Sequence, residues 1–180
     1  YTMNTHASSP SAPLPAAAVL LAAGESRRMG SPKALLPWEG GTFFGTASAA
    51  IQAVGFRVSV AVVNPEIEKE LPGLSRFGAV LRNEEPERGQ LFSLQIALHW
   101  LLRSSPGLGG AMVFLVDNPG EVEERARMLR RAVEASPDRV LAAAFEGRPG
   151  HPVWLPRRLW EDVAGYSGAG GLRGFFRKWG

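Results

Sequence analysis

The stretch Ala16-Ala17-Ala18-Val19-Leu20-Leu21-Ala22-Ala23-Gly24 decides the fold of this chain. It is an unbroken apolar run that ends on a glycine. No polar residue alternates with the apolar ones, so both faces of the segment have to be covered. That is the pattern of a buried strand in a parallel sheet. The run is too short to cross a bilayer. It also lacks the basic stretch that precedes a signal-peptide core, because the first Arg or Lys is Arg27.

Outward from this strand, apolar runs alternate with amphipathic stretches. Phe43 to Val54 reads as a helix with Thr42 as its N-cap. Arg57 to Val63 is a Val-rich strand that stops at Asn64-Pro65. Glu66 to Leu71 reads as a short helix and Ala79 to Leu81 as a short strand. Gln90 to Arg103 sets Leu91, Leu94, Leu98 and Leu101 at helical spacing. Ala111 to Val116 is a strand that ends at Asp117-Asn118-Pro119. Glu121 to Ala135 puts Val122, Ala126, Leu129 and Val133 on one helical face, with acids leading and arginines trailing as the helix dipole favours. Val140 to Phe145 reads as another buried strand, Val153 to Leu155 as a short one, Pro156 to Ala164 as a short helix and Leu172 to Trp179 as the last helix. The alternation predicts an α/β, three-layer, Rossmann-like fold: a mostly parallel central sheet with helices on both faces. Ligands bind such sheets outside the carboxyl ends of the strands. The loops at that edge are 22–33, 83–90 and 117–120.

With 180 residues, 45% of them hydrophobic, the chain has the material for one domain with a sizeable core. Residues 1–15 are rich in Ser, Pro, Ala and Thr and read as a disordered leader or expression remnant, leaving 16–180 as the single domain. Twenty basic residues against 17 acidic give a formal charge of only +3, and the two signs are interleaved. That argues against nucleic acid as a partner and for a local anionic ligand such as phosphate. The absence of cysteine excludes disulfides, thiolate chemistry and Cys-based zinc sites. No stretch reaches membrane length, so no membrane partner is expected and the cytoplasm is the expected location.

The first strand runs into Leu21-Ala22-Ala23-Gly24-Glu25-Ser26-Arg27-Arg28-Met29-Gly30-Ser31-Pro32-Lys33. Small residues at 22 to 24 admit a ligand close to the backbone. Gly24 and Gly30 permit turns that aim several N–H groups at phosphate oxygens. Arg28 offers a fork to two oxygens and Lys33 a movable point charge. The segment is neither a Walker loop, having no Gly-Lys-Ser/Thr, nor a dinucleotide fingerprint, having no third glycine. From composition alone a solvated basic turn explains it equally well.

The full string decides between them. Leu-Ala-Ala-Gly-x-Ser-x-Arg-Met-Gly-x-Pro-Lys-x-Leu-Leu-Pro, Leu21 to Pro37, closely resembles the opening motif of the molybdenum-cofactor nucleotidylyltransferases, the MobA/MocA-like NTP transferases. The resemblance implies that the loop around Leu21, Ala22, Ala23 and Gly24 wraps a triphosphate, and that Arg28 and Lys33 contact its phosphates. The Ala-Ala-Gly form is more similar to the cytidylyl- than to the guanylyltransferase branch. Asn83, Gly89 and Ser93 match an arrangement that lines the base and ribose pocket in this family. The bland alternative is that Asn83 and Ser93 cap and turn the chain. Asp117, at a strand's carboxyl end in Asp-x-Pro, suits Mg²⁺ held jointly with phosphates, although a turn-forming Asp before Pro explains it too. Arg148-Pro149-Gly150-His151-Pro152-Val153 resembles the family's Gly-His-Pro turn beside the second substrate. This makes His151 a second-substrate candidate, or a loop histidine that orders its turn. His99 reads as a structural helix residue.

One departure stands out. The family carries a late Gly-Asp-x-Gly-Ala-Arg whose Asp is a second metal ligand, and here the stretch is Gly168-Ala169-Gly170-Gly171-Leu172-Arg173. The aspartate position is Ala169, which cannot ligate a metal. Asp162 would substitute only if the chain bends suitably. The resemblance therefore implies a Mg²⁺-dependent transfer of a nucleoside monophosphate, CMP ahead of GMP, to a molybdopterin-type phosphate with release of pyrophosphate. Arg28, Lys33 and Asp117 are the catalytic candidates, and a molybdoenzyme or cofactor-insertion protein is the implied partner. Two alternatives remain: a non-catalytic nucleotide-binding or cofactor-chaperone relative, which Ala169 favours, and a sugar- or polyol-phosphate nucleotidyltransferase.

Overall fold

The computed structural model describes residues 14–24, 31–117, 119–145 and 148–179. Its centre is a six-stranded sheet in the order β5-β4-β1-β6-β8-β7, formed by β1 (Leu14–Ala22), β4 (Phe56–Val63), β5 (Ala79–Arg82), β6 (Gly110–Leu115), β7 (Leu141–Phe145) and β8 (Arg148–Pro156). The short strands β2 (Pro37–Trp38) and β3 (Gly41–Thr42) form a separate hairpin. β1 pairs in parallel with β4 and β6, and β4 with β5; β8 runs antiparallel to both β6 and β7. The sheet is mostly parallel, as its apolar runs predict.

Strand geometry explains why β1 has no polar alternation. Ala16, Ala18, Leu20 and Ala22 face one core cluster, and Ala17, Val19, Leu21 and Ala23 face the other. Successive side chains point to opposite faces, and both faces are covered. The first cluster takes in α1 (Phe43–Val54) and α3 (Val122–Ala135); the second takes in α2 (Gln90–Ser104), α4 (Trp160–Ala164) and α5 (Gly171–Trp179). Each fully buried Leu or Val adds roughly 1.5–3 kcal/mol. The helix patterns hold. Thr42 Oγ1 accepts from the Gly45 N–H at 3.1 Å as the α1 cap. Val122, Ala126, Leu129 and Val133 are the buried stripe of α3. Arg130 reaches back to the Val54 carbonyl at 2.6 Å, placing a cation on the C-terminal end of α1.

The topology creates one switch point. From β1 the chain passes through α1 to β4 on one side; from β5 it passes through α2, on the opposite face, to β6 on the other side of β1. Two crossovers in opposite directions, over opposite faces of the sheet, leave a crevice above the carboxyl ends of β1 and β6.

Four expectations need correction. Leu14 and Pro15 belong to β1 and not to the leader: Leu14 pairs with Phe56, and the Pro15 carbonyl accepts from the Gly109 N–H at 3.0 Å. The start of a strand tolerates Pro because only its missing donor is lost. Residues 66–71 form only the single 3-10 turn Glu68–Glu70. β7 is an edge strand with Ala142 and Ala144 exposed, not a buried one. β8, read as three residues, spans nine and lies inside the sheet.

Candidate functional site

The crevice at the switch point is built from three strand ends. β1 delivers Leu21, Ala23 and Gly24; β6 delivers Leu115, Val116 and Asp117; the turn after β5 and the start of α2 deliver Pro86, Glu87, Gly89, Gln90 and Ser93. Lys33 closes the fourth side. It opens the single turn Lys33–Leu35, whose Ala34 is 2% exposed and packs into the α1 side of the core. That anchor holds Lys33 at the crevice. Together these residues line a cleft of about 430 Å³, a volume suited to a small polar ligand.

The sequence candidates divide as follows. Leu21, Ala23, Gly24, Lys33, Gly89, Ser93 and Asp117 all line this cleft. Ala22 does not: period-two alternation turns its side chain into the α1 side of the core. Asn83 does not either. Fully buried, it uses its side chain inside the protein: Oδ1 accepts from the Glu85 N–H at 2.9 Å, and Nδ2 donates to Ser93 Oγ at 2.9 Å. Arg28 lies outside the described residues. Asp162 is exposed on α4 and lines neither this cleft nor its neighbour. His99 is exposed on α2 and is not packed in the core.

Gly89 is the hinge of the wall. Its φ of 87° and ψ of −178° belong to glycine alone, and from it the chain turns directly into α2. The Gly89 carbonyl also accepts the Ser93 N–H at 3.4 Å.

A second, larger cavity of about 1150 Å³ adjoins the first, and Leu21, Gly89, Gln90, Leu115 and Asp117 line both. His151 lies here, which was read as a turn but is part of β8. Ala142 pairs with Val153 and Ala144 with Pro149, so residues 150–152 stand opposite Ala143 alone. This is a bulge, and bulges re-aim side chains beside functional sites. The His151–Pro152 peptide within it is cis. Because β8 runs antiparallel, its early residues reach the same edge as the carboxyl ends of β1 and β6.

Three guanidinium groups that the sequence did not single out also line this cavity: Arg88, Arg125 and Arg173. Arg88 lies over the Phe92 ring at 3.5 Å and pairs with Glu85 at 3.1 Å. Arg125 is held by the Gly120 and Glu121 carbonyls. Arg173 stands on α5, which Tyr166 anchors edge-to-face against Phe175 at 5.5 Å. Gln95 Nε2 ties α2 to the Val163 and Tyr166 carbonyls at 3.1 and 2.7 Å. Burial holds the His151 pKa below its ordinary 6.5; Asp117 opposes this shift and Arg173 reinforces it. The wall is thus cationic at three points, with a neutral imidazole and the Asp117 carboxylate among them, which suits an anionic ligand.

Fold and site together define an α/β domain with a cleft at its topological switch point, which shares Leu21, Gly89, Gln90, Leu115 and Asp117 with a larger cavity lined by three guanidinium groups. Residues 18–180 match the MobA-like NTP transferase domain, and the chain belongs to that family. It is 32% identical over 133 residues to the "Probable molybdenum cofactor guanylyltransferase" of Rhodopirellula baltica (strain DSM 10527 / NCIMB 13988 / SH1), a match that takes in 73% of this chain. The chain spans 62% of that relative's length, less than two thirds. Among solved structures it is similar to Rv0371c from Mycobacterium tuberculosis H37Rv, with a TM-score of 0.74 and 25% identity over 89% of this chain and 81% of the other. A manganese complex of Rv0371c gives a TM-score of 0.71 and 22% identity over 92% and 83% of the two chains, a likeness of fold.

Proposed function

We propose that this domain transfers a nucleoside monophosphate from a nucleoside triphosphate to a phosphate on a molybdopterin-type acceptor. A phosphate oxygen of the acceptor attacks the α-phosphorus, the bond from that phosphorus to the bridging oxygen breaks, and pyrophosphate leaves. One observation carries the reading: Asp117 borders both cavities, so a donor in the first and an acceptor in the second meet at it. In this reading Gly24 lets the triphosphate lie against the backbone, and Lys33, with Arg28, neutralises it. His151 and Arg173 hold the acceptor's anionic end. Catalysis is positioning and charge stabilisation.

A divalent cation, Mg²⁺ in this proposal, fits the donor set in one way. Among the described residues no group of three or more His, Cys, Asp or Glu gathers to hold a metal unaided. A single carboxylate at a strand end suits an ion that arrives on the phosphates. Asp117 would hold it, and the ion would supply neutralising charge at the α-phosphate.

Two features pull the base choice apart. Ala22-Ala23-Gly24 favours CTP, while the printed name of the Rhodopirellula relative favours GTP. The test is pyrophosphate release from the purified chain with Mg²⁺, a molybdopterin acceptor, and CTP or GTP. Release is expected with one nucleotide, and Asp117→Ala should cut it at least about 100-fold, as for loss of a principal charge-stabilising group. Ala169 supports a second reading, a nucleotide-binding module without transfer. No pyrophosphate from protein that CTP or GTP still stabilises would favour it.

A further inference from the structure

The proton of the Ser93 hydroxyl is directed by its neighbour. Asn83 leads out of β5, where its N–H donates to the Val63 carbonyl at 2.9 Å. Asn83 Oδ1 accepts from a backbone N–H, that of Glu85, at 2.9 Å. A backbone N–H can only donate, so the amide oxygen must lie on that side and the NH₂ on the other. The NH₂ meets Ser93 Oγ at 2.9 Å. Ser93 therefore receives a hydrogen bond there and cannot give one. Asn83 is fully buried and Ser93 4% exposed, so water does not compete for this bond. Among the described residues it is the one side-chain hydrogen bond that Ser93 makes. Ser93 also lines the cleft with Gln90 and Gly89. Its proton is left to point at whatever fills the cleft.

We infer that Asn83 is a positioning residue that sets Ser93 as a hydrogen-bond donor to an acceptor atom of the bound nucleotide. This rests on the nucleotide reading of the first cleft. Asn83 touches no ligand in this account and acts only through the hydroxyl it orients. Asn83→Asp keeps the acceptor for Glu85 but replaces the NH₂ by a second acceptor. Ser93 then turns its proton toward residue 83 and offers the ligand only lone pairs.

The experiment is calorimetric titration of CTP and GTP, with Mg²⁺, into the wild-type chain, Ser93→Ala, Asn83→Asp and the double variant. Loss of one net hydrogen bond predicts about 3- to 10-fold weaker binding for Ser93→Ala. Asn83→Asp should weaken it at least as much, and adding Ser93→Ala to Asn83→Asp should cost less than Ser93→Ala costs alone. A purely structural Asn83 would lower the melting temperature and leave the Kd of the folded protein unchanged, which overturns the inference. Should Asn83→Asp not fold, Ser93→Ala still decides: wild-type affinity in that variant overturns the inference. A wild-type chain that binds neither nucleotide sinks the nucleotide reading, and this inference with it. Wild-type binding with unaltered variants sinks the inference alone.

Discussion

Replacing Gly24 with alanine separates the needs of the fold from the needs of the ligand. A Cβ built on Gly24 meets nothing within 4 Å among the described residues, and its φ is not in the left-handed range. The described fold thus has no use for a glycine there, either for space or for conformation. In such a position Gly→Ala removes freedom from the unfolded chain and stabilises by about 0.4–1 kcal/mol. For a domain of this size that raises the melting temperature by about 1–4 °C. The new methyl group, however, projects at the end of β1 on the wall of the first cleft. A ligand that packs against this backbone then meets an extra carbon, and overpacking of that kind costs about 1–3 kcal/mol. The affinity for a nucleoside triphosphate should fall by about 5- to 150-fold. Differential scanning fluorimetry reads the stability without ligand, and titration calorimetry reads the affinity. Stability held or raised while affinity drops is the expected pair. A variant that melts well below wild type, or one that binds nucleotide with unchanged Kd, would refute the argument that this glycine serves the ligand.

Other outcomes follow from the same geometry. Leu98 is fully buried between α2 and the sheet, so Leu98→Ala should lower the unfolding free energy in urea by about 2–5 kcal/mol. His151, held neutral mainly by burial, takes up its proton less readily folded than unfolded. As pH falls below 6.5 the unfolded chain therefore gains protons first, and stability is lost on that acid side. In metal-free buffer His151→Gln should flatten the fall in melting temperature from pH 7.5 to 5, and an unchanged slope would count against it. Ala169→Asp should make the Mg²⁺ dependence of nucleotide binding steeper if residue 169 faces the shared carboxylate; thermal shift at graded Mg²⁺ reads this, and indifference would dismiss the alignment at that position.

The parallel core was legible because burial on both faces leaves an unmistakable mark: β1 and β6 have no polar alternation to confuse with anything else, and β4 has only Arg57 and Ser59 before its fully buried Val60 to Val63. Helix α3 was legible through its stripe from Val122 to Val133, and α1 through its Thr42 cap. β8 was not, because Pro149, Gly150 and Pro152 interrupt its pattern; the bulge at 150–152 is itself the feature that brings His151 to the site. The cleft residues on the first loop announced themselves through a dense local motif. Arg88 and Arg125 did not, since each stands in an ordinary charged stretch and only the folded chain places them around one cavity with Arg173. Asn83 shows the converse: its position beside the site was readable, but whether it faces ligand or protein depends on two hydrogen bonds that no spacing encodes.

The most direct measurement of the central claim is a crystal structure of the chain with Mg²⁺ and a non-hydrolysable nucleoside triphosphate. The account predicts the triphosphate along the end of β1, its oxygens within hydrogen-bonding reach of the Gly24 N–H and Lys33 Nζ and its α-phosphate facing Asp117. A nucleotide seated elsewhere, or phosphates turned away from Lys33 and Asp117, would contradict it.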